Sequence, residues 1–284
     1  MNVKRLLKLS PRWEIAVYVG PVESLMKDAK PHYVPLKNPY RSGWFADPFV
    51  LDVTEGRIEL LVEDFRYKDG KGRISKLTVD RRTMTIINRK VLLEGGHYSF
   101  PAILRKDGKI CVYPEQSRQG RLDLFEYCPE TETCKPVETL SEEPLTDAII
   151  YKGVIFSTQQ PEPNGSVLEL IPIPSSDFLP PLTPPSRRRG NVGGRSSSVR
   201  FDECIARNAG GFFEVDGVTY RPAQECNRWY GNAVSIQRFE EGKFTEVRRI
   251  PGIHTLNSYQ GVTVVDRKIF PFKWLYRLLC QSDK

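Results

Sequence analysis

"HYSFPAILRKDGKICVYPEQS", residues 97–117, reads as two short strands joined by a Lys-Asp-Gly turn. The apolar residues alternate or cluster in runs of strand length, and the glycine supplies the backbone freedom that a tight turn needs. The second strand runs into a carboxylate, Glu115, seven residues after Gly108. The same plan recurs along the chain. Gly56 is followed after seven residues by Glu63, Gly153 by Gln160 and Gly217 by Gln224. Each hairpin therefore ends on a carboxyl or carboxamide side chain. A self-similar unit of this kind is the primary signal of a repeat architecture.

The first strands of the units begin near Asp47, Phe100, Asp147 and Ala209, with a weaker fifth copy near Ser258 in which Asp266-Arg267 stands at the turn. The starts lie 53, 47, 62 and 49 residues apart. Each hairpin is followed by two more strand-like runs, such as "GRISKLTVD" with "TMTIINRKVLL", "RLDLFEYCP" with "CKPVETL", and "GNAVSIQRFE" with "KFTEVRRI". Four strands in roughly 50 residues is the size of a propeller blade. The sequence predicts an all-β fold, a single five-bladed β-propeller over residues 1–284. In such a fold the hairpins place Asp47, Glu63, Glu115, Asp147, Gln160 and Gln224 around one shared, solvent-reachable centre. The long 62-residue step is due to an irregular insertion at 171–200, rich in Pro, Ser, Gly and Arg. Deleting residues 175–198 is expected to leave thermal stability nearly unaltered if that insertion is a loop.

The composition bounds the function. The chain has 284 residues and a net charge of +7. That balance permits an anionic partner without selecting one. A nucleic-acid role calls for a basic stripe with interleaved aromatics, and the only basic run is Arg187-Arg188-Arg189 in the insertion. No stretch approaches the ~20 apolar residues of a membrane span, and the N-terminus lacks the apolar core of a secretion signal. The expectation is a soluble, cytoplasmic protein. "PFKWLYRLL" near the C-terminus reads as a short amphipathic turn or a closing strand. The six cysteines form no CxxC pair and there are three histidines, so free thiols and no metal are expected. No Gly-rich phosphate loop or nucleophile elbow is present, and no cofactor is expected.

The chemistry on offer is carried by carboxylates. Glycoside cleavage uses two, one protonated and one ionised, and crowding carboxylates raises at least one of their pKa values. Asp47 is the base candidate and Glu115 the acid, with Glu63 as rival; Asp147 would orient substrate or tune the acid. His97, Arg207, Asn208, Arg221, Gln224 and His254 are the candidate substrate-binding groups. Arg221 would clamp a carboxylate or phosphate, or pair with Glu115 or Asp147. Tyr98, Trp44, Phe45, Trp229 and Tyr230 offer flat faces that suit sugar rings.

"WFADPFV", "LLVEDFRYKDGKGRIS", "HYSFPAIL", "YPEQS", "ARNAGGFF" and "YRPAQE" with "RWYG" together resemble the five-bladed propeller domain at the N-terminus of plant glucosamine inositolphosphorylceramide transferases. That domain is similar in turn to the family 43 and family 32 glycoside hydrolase propellers. The resemblance covers roughly residues 12–275, the insertion apart. It implies that Asp47 in "ADPF" matches the family 43 general base. It also implies that the second aspartate of that family falls at Phe100 in "SFPA", where the acid is absent. The general acid of that family cannot be placed by motif. Carbohydrate handling is what the resemblance implies, with a carbohydrate or glycoconjugate ligand and a glycosyltransferase as partner. Three readings stay open: an enzyme acting on a glycosidic bond by hydrolysis or transfer, a glycan-binding propeller assisting a glycosyltransferase in surface polysaccharide or glycolipid synthesis, and a scaffold.

Overall fold

The computed structural model describes residues 12–159, 165–173 and 196–270. It forms five four-stranded antiparallel sheets, the blades of a five-bladed β-propeller. The first two strands are β1 (Arg12–Tyr18) and β2 (Tyr33–Pro35). Blade one is β3 (Gly43–Val53), β4 (Arg57–Arg66), β5 (Lys71–Asp80) and β6 (Thr85–Leu93). Blade two is β7 (Ser99–Lys106), β8 (Lys109–Glu115), β9 (Leu122–Cys128) and β10 (Thr133–Ser141). Blade three is β11 (Leu145–Tyr151), β12 (Val154–Gln159), β13 (Val167–Pro172) and β14 (Ser197–Arg200). Blade four is β15 (Phe213–Val215), β16 (Val218–Glu225), β17 (Ala233–Glu240) and β18 (Lys243–Pro251). Blade five takes β19 (Thr255–Tyr259) and β20 (Val262–Ile269) from one end of the chain and completes itself with β1 and β2 from the other.

Burial explains the strand sequences. In β3 every residue from Phe45 to Leu51 is buried, because an inner strand is covered on both faces. The outermost strands β10 and β18 are mostly exposed or half-buried, and their sequences are correspondingly polar. The core lies in the seams between blades. Ile15 and Val17 of blade five pack with Phe45, Leu60 and Val62 of blade one. Phe49 of blade one packs with Phe100 and Tyr113 of blade two and Ile149 of blade three. Burying such side chains, at about 1.5–3 kcal/mol each, holds neighbouring blades together.

Three readings of the sequence change. The fifth hairpin turns at Gln260-Gly261, and Asp266 sits inside β20, paired with Thr255 on one side and Ile15 on the other. The fifth repeat contributes only a hairpin, its two outer strands being β1 and β2. The ends of the predicted insertion belong to blade three, where Ser197–Arg200 pairs with Val167–Leu170. Residues 174–195 and the "PFKWLYRLL" segment lie outside the described residues, as does Gln160. The first strand of blade four is broken: Asn208 makes an isolated bridge to Ala223, and β15 resumes at Phe213. Gly210 occupies this break. A Cβ there would lie 2.0 Å from the Leu256 carbonyl of blade five, so only glycine permits the approach.

Candidate active site

The strands of blades one to three share a defect that builds the site. Pairing steps from Ala46–Glu63 to Phe49–Leu61 in blade one. It steps from Ser99–Glu115 to Ala102–Tyr113 in blade two, and from Thr146–Thr158 to Ile149–Phe156 in blade three. Each first strand thus carries one extra residue, a β-bulge. The bulged residues Asp47, Phe100 and Asp147 have φ of 49°, 44° and 45°. Left-handed backbone is tolerated best by Asp and Asn among residues with a side chain and costs a bulky residue more.

Each bulge turns an amide toward a carboxylate of the preceding blade. Asp47 N donates to Asp266 Oδ2 at 2.9 Å, Phe100 N to Asp47 Oδ2 at 3.2 Å, and Asp147 N to Glu115 Oε2 at 3.1 Å. Blades four and five complete the circle with side chains. Gln224 Nε2 donates to Asp147 Oδ2 at 2.6 Å, and the Arg207 guanidinium pairs with the same oxygen. His254 Nε2 lies 3.1 Å from Gln224 Oε1, and its Nδ1 lies 3.2 Å from Asp266 Oδ2 and 3.5 Å from Asp47 Oδ1. A hydrogen-bonded polar ring therefore runs through all five blades.

Within it, Asp47, Glu63, Glu115, Asp147, Asn208, Gln224, His254 and Asp266 are 0–7 % exposed. The centre is buried rather than freely open to solvent. Two rings help close it: Trp13 stacks on His254 at 4.4 Å and Tyr230 meets it edge-on at 4.7 Å. Arg207 lies over Tyr230 at 4.9 Å and keeps Nη2 3.8 Å from Glu115 Oε2.

Burial with like charges sets the protonation. Burial, then Asp266 and Glu63, pushes the Asp47 carboxyl well above the ordinary carboxylate range. Burial, then Glu115, does the same to Glu63. Burial raises Asp147 to about 7 although Arg207 opposes the rise. Asp266 ends below its ordinary value: burial acts upward, but His254, the Asp47 N–H and the Thr255 hydroxyl outweigh it.

These shifts predict a pH dependence of folding. A carboxyl raised in the folded state contributes stability below its unfolded value, and loses that contribution as pH rises through its folded value. For Asp147 the window runs from 3.8 to about 7, and Asp47 and Glu63 act in the same sense. Asp266 opposes them only below its ordinary value. Tm should be higher at pH 5 than at pH 8, on the order of 5 °C, measured by calorimetry across that range.

The ring positions differ in their engagement. Glu115 accepts from Ser117 Oγ at 2.7 Å as well as from the Asp147 amide. Glu63, at the same register in blade one, has no hydrogen-bond partner among the described residues. Asp47 Oδ1 is buried and makes no hydrogen bond either. Space for Glu63 depends on Gly72, where a Cβ would lie 2.3 Å from Glu63 Oε1 and 2.5 Å from the Tyr98 carbonyl. Gly72→Ala should therefore cost about 1–3 kcal/mol by overpacking and displace Glu63, read by denaturant unfolding together with a crystal structure.

The remaining predicted groups fall into place around this core. His97 is half-buried; its Nδ1 accepts from Gly72 N at 2.9 Å, and burial, with Arg118 and Lys71, lowers it to about 4. Asn208 donates to the carbonyls of Asp147 and Phe156, both at 2.7 Å. Arg221 departs from both expected roles. It is fully buried and donates to neutral groups: Asn208 Oδ1 and Gln237 Oε1, each at 2.7 Å, and the carbonyls of Ile205 and Ala206. Burial lowers it to about 9. It braces Asn208 instead of facing a ligand, because the fold of blade four turns it into a cage of carbonyls. In blade three the ring register falls on Thr158. Phe100 packs its ring against Phe49 at 5.0 Å, so the position supplies an amide to Asp47 and no acid.

Asp266 and Trp13 escaped sequence reading. Asp266 stands five residues after its turn glycine instead of seven, and Trp13 joins the site from the other end of the chain. Asp47, His254 and Asp266 present ligand atoms within 4.8 Å of one another, a donor set of two carboxylates and an imidazole able to hold a cation. No sequence spacing announces that trio, since its members come from blades one and five. Among the described residues Cys111, Cys128, Cys134, Cys204 and Cys226 are free thiols, and no helix is long and apolar enough to cross a membrane.

The propeller fold has counterparts among solved structures. CoXyl43, a GH43 β-xylosidase/α-arabinofuranosidase from a compost microbial metagenome, superposes with a TM-score of 0.52 at 13% identity, over 79% of this chain and 90% of that one. At that identity the likeness is one of fold. A family description places the chain more closely: residues 34–257 match "Glucosamine inositolphosphorylceramide transferase 1, N-terminal", and the chain belongs to that family. Glucosamine inositolphosphorylceramide transferase 1 of Oryza sativa subsp. indica is 25% identical over 221 residues, 76% of this chain and 29% of the plant protein. The Arabidopsis thaliana protein of the same name is 27% identical over 184 residues, 60% of this chain and 23% of that one. The chain thus spans less than a third of the curated relatives it matches.

Proposed function

We propose that this propeller acts on a glycosidic bond, with Asp47 as the base and Glu63 as the proton donor. The observation that carries the reading is the state of these two side chains. Both are buried with their carboxyls raised, and neither Asp47 Oδ1 nor the Glu63 carboxyl has a hydrogen-bond partner among the described residues. A general acid needs a proton at working pH, and a base works best with a pKa near that pH. Glu115, the acid expected from hairpin geometry, is committed to Ser117, the Asp147 amide and the nearby Arg207, so we assign it an accepting role instead. Arg207 and Asp147 position the ligand side of the ring.

A second reading has its own support. Phe100 stands where the family 43 hydrolases carry an aspartate, and the relatives named as transferases are more than three times longer than the matched region. On this reading the domain holds a glycan for a glycosyltransferase. Crystals soaked with mono- and oligosaccharides and nucleotide sugars separate the two. A glycosidic oxygen between Asp47 and Glu63 supports the enzyme. A sugar bound away from both carboxylates supports the holding module, and no bound sugar across the panel counts against both.

A further inference from the structure

A sizeable groove lies outside the carboxylate ring. With a volume of ≈ 700 Å³, it runs along the seam between blades five and one. Trp13, Tyr40, Trp44 and Tyr67 line it, with Arg12 and Arg41 beside them. Its volume suits a short oligosaccharide. The walls are flat aromatic faces in a fixed pose: Trp44 is stacked on Phe65 with centroids 4.4 Å apart and an interplanar angle of 4°, and Tyr40 is held beneath the Arg89 guanidinium at 4.3 Å.

The charge of the groove is one-sided. Its one acidic lining residue, Glu14, is neutralised by Arg267, with Nη2 2.6 Å from Oε2. Arg12 and Arg41 are exposed and make no hydrogen bond or ion pair among the described residues. The Lys268 ammonium adds a further cation 5.8 Å from the Trp13 ring. Two guanidiniums without a partner among the described residues, beside aromatic faces, match a ring-shaped ligand that carries a carboxylate or phosphate, since guanidinium binds both as a planar fork. The groove is also joined to the centre. Trp13 is shared between the groove wall and the stack on His254, and Trp44 precedes Asp47 by three residues on β3.

We propose that this seam groove is a binding site for an acidic oligosaccharide, whose anionic group pairs with Arg12 and Arg41 while its sugar rings lie on Trp13, Trp44 and Tyr67. The proposal rests on the carbohydrate reading above and names a ligand class for it. The sugar would be gripped outside the buried ring and presented to it past Trp13.

The test follows tryptophan indole N–H resonances of the full chain, assigned by single Trp→Phe substitutions, during titration with trigalacturonate, α-glucose 1-phosphate and neutral cellotriose. Trigalacturonate is expected to shift Trp13 and Trp44 saturably, and to bind about ten-fold or more tightly than cellotriose. Added salt should weaken it. The double variant Arg12→Ala, Arg41→Ala should lose about ten-fold in affinity, and Tyr67→Ala a smaller factor. All three side chains are exposed, so folding is preserved, and thermal unfolding verifies it. Tighter binding of the phosphate than of the uronate, lost in the same double variant, would assign the anion as phosphate and still support the groove. Equal affinity for acidic and neutral sugars, or undiminished affinity in the double variant, would overturn the proposal. Neutral sugar perturbing the Asp47 centre without the groove would leave the carbohydrate reading standing and remove this inference. No response to any sugar would count against both.

Discussion

Replacing Arg207 with methionine should destabilise the fold by about 3–5 kcal/mol at pH 8, the cost of leaving a buried carboxylate without its partner. Arg207 is the only cation within ion-pair distance of Asp147 and Glu115 among the described residues. Asp147 is 2 % exposed and cannot turn to water for relief. Burial already raises its carboxyl to about 7 against the pull of Arg207. Without the guanidinium that carboxyl moves higher still, so Asp147 is neutral at pH 5 and charged only above the new value. The variant should therefore recover much of its loss at pH 5. Urea unfolding at pH 5 and pH 8 measures both. An equal loss at the two pH values would mean that the packing of Arg207 over Tyr230 matters more than its charge.

Asp47→Asn should do the opposite to stability while removing function. The carboxamide keeps the shape and can still accept the Phe100 amide. It also removes a negative charge that Asp266 repels. Tm is expected to stay level or rise by a few degrees, since relieved repulsion at a strained site is stabilising. Turnover of any glycosidic substrate should fall by about 10²–10⁴, the usual contribution of a general base. In the parent protein the rate should climb as pH rises through the raised Asp47 value and decline once Glu63 loses its proton. Unchanged turnover in Asp47→Asn would take Asp47 out of the mechanism. A lower Tm would show that its charge is held by His254 more firmly than it is opposed by the other carboxylates.

The hairpins were legible because their signal is local. A turn glycine and the apolar runs beside it lie within about fifteen residues, and the offset of seven picked out Glu63, Glu115 and Gln224. Asp47 and Asp147 were legible as polar starts of apolar strands. What pairing across blades decides was not. Asp266 was read as a turn residue because its true role comes from β1, which lies some 250 residues away in the chain. Arg221 looks in sequence like a ligand clamp, and only the carbonyls of Ile205 and Ala206 around it reveal a brace. The trio of Asp47, His254 and Asp266 has no spacing to find, since blade closure brings it together. The bulges, too, are invisible as letters: "ADPF", "SFPA" and "TDAI" share little, yet all three adopt the same left-handed kink.

The completion of blade five by strands from both ends of the chain imposes an order on biosynthesis. Four blades can assemble as their own segments leave the ribosome, each from contiguous sequence. β1 cannot, because its ladder partner runs from Arg12 opposite Ile269 to Tyr18 opposite Thr263. At about 5–20 residues per second the edge of β1 that pairs with β20 waits roughly 12–50 s for its partner. For that interval β1 carries a free sheet edge, a natural client for a chaperone. Slowing translation between β2 and β19 lengthens that interval and should raise aggregation more than slowing it before β1.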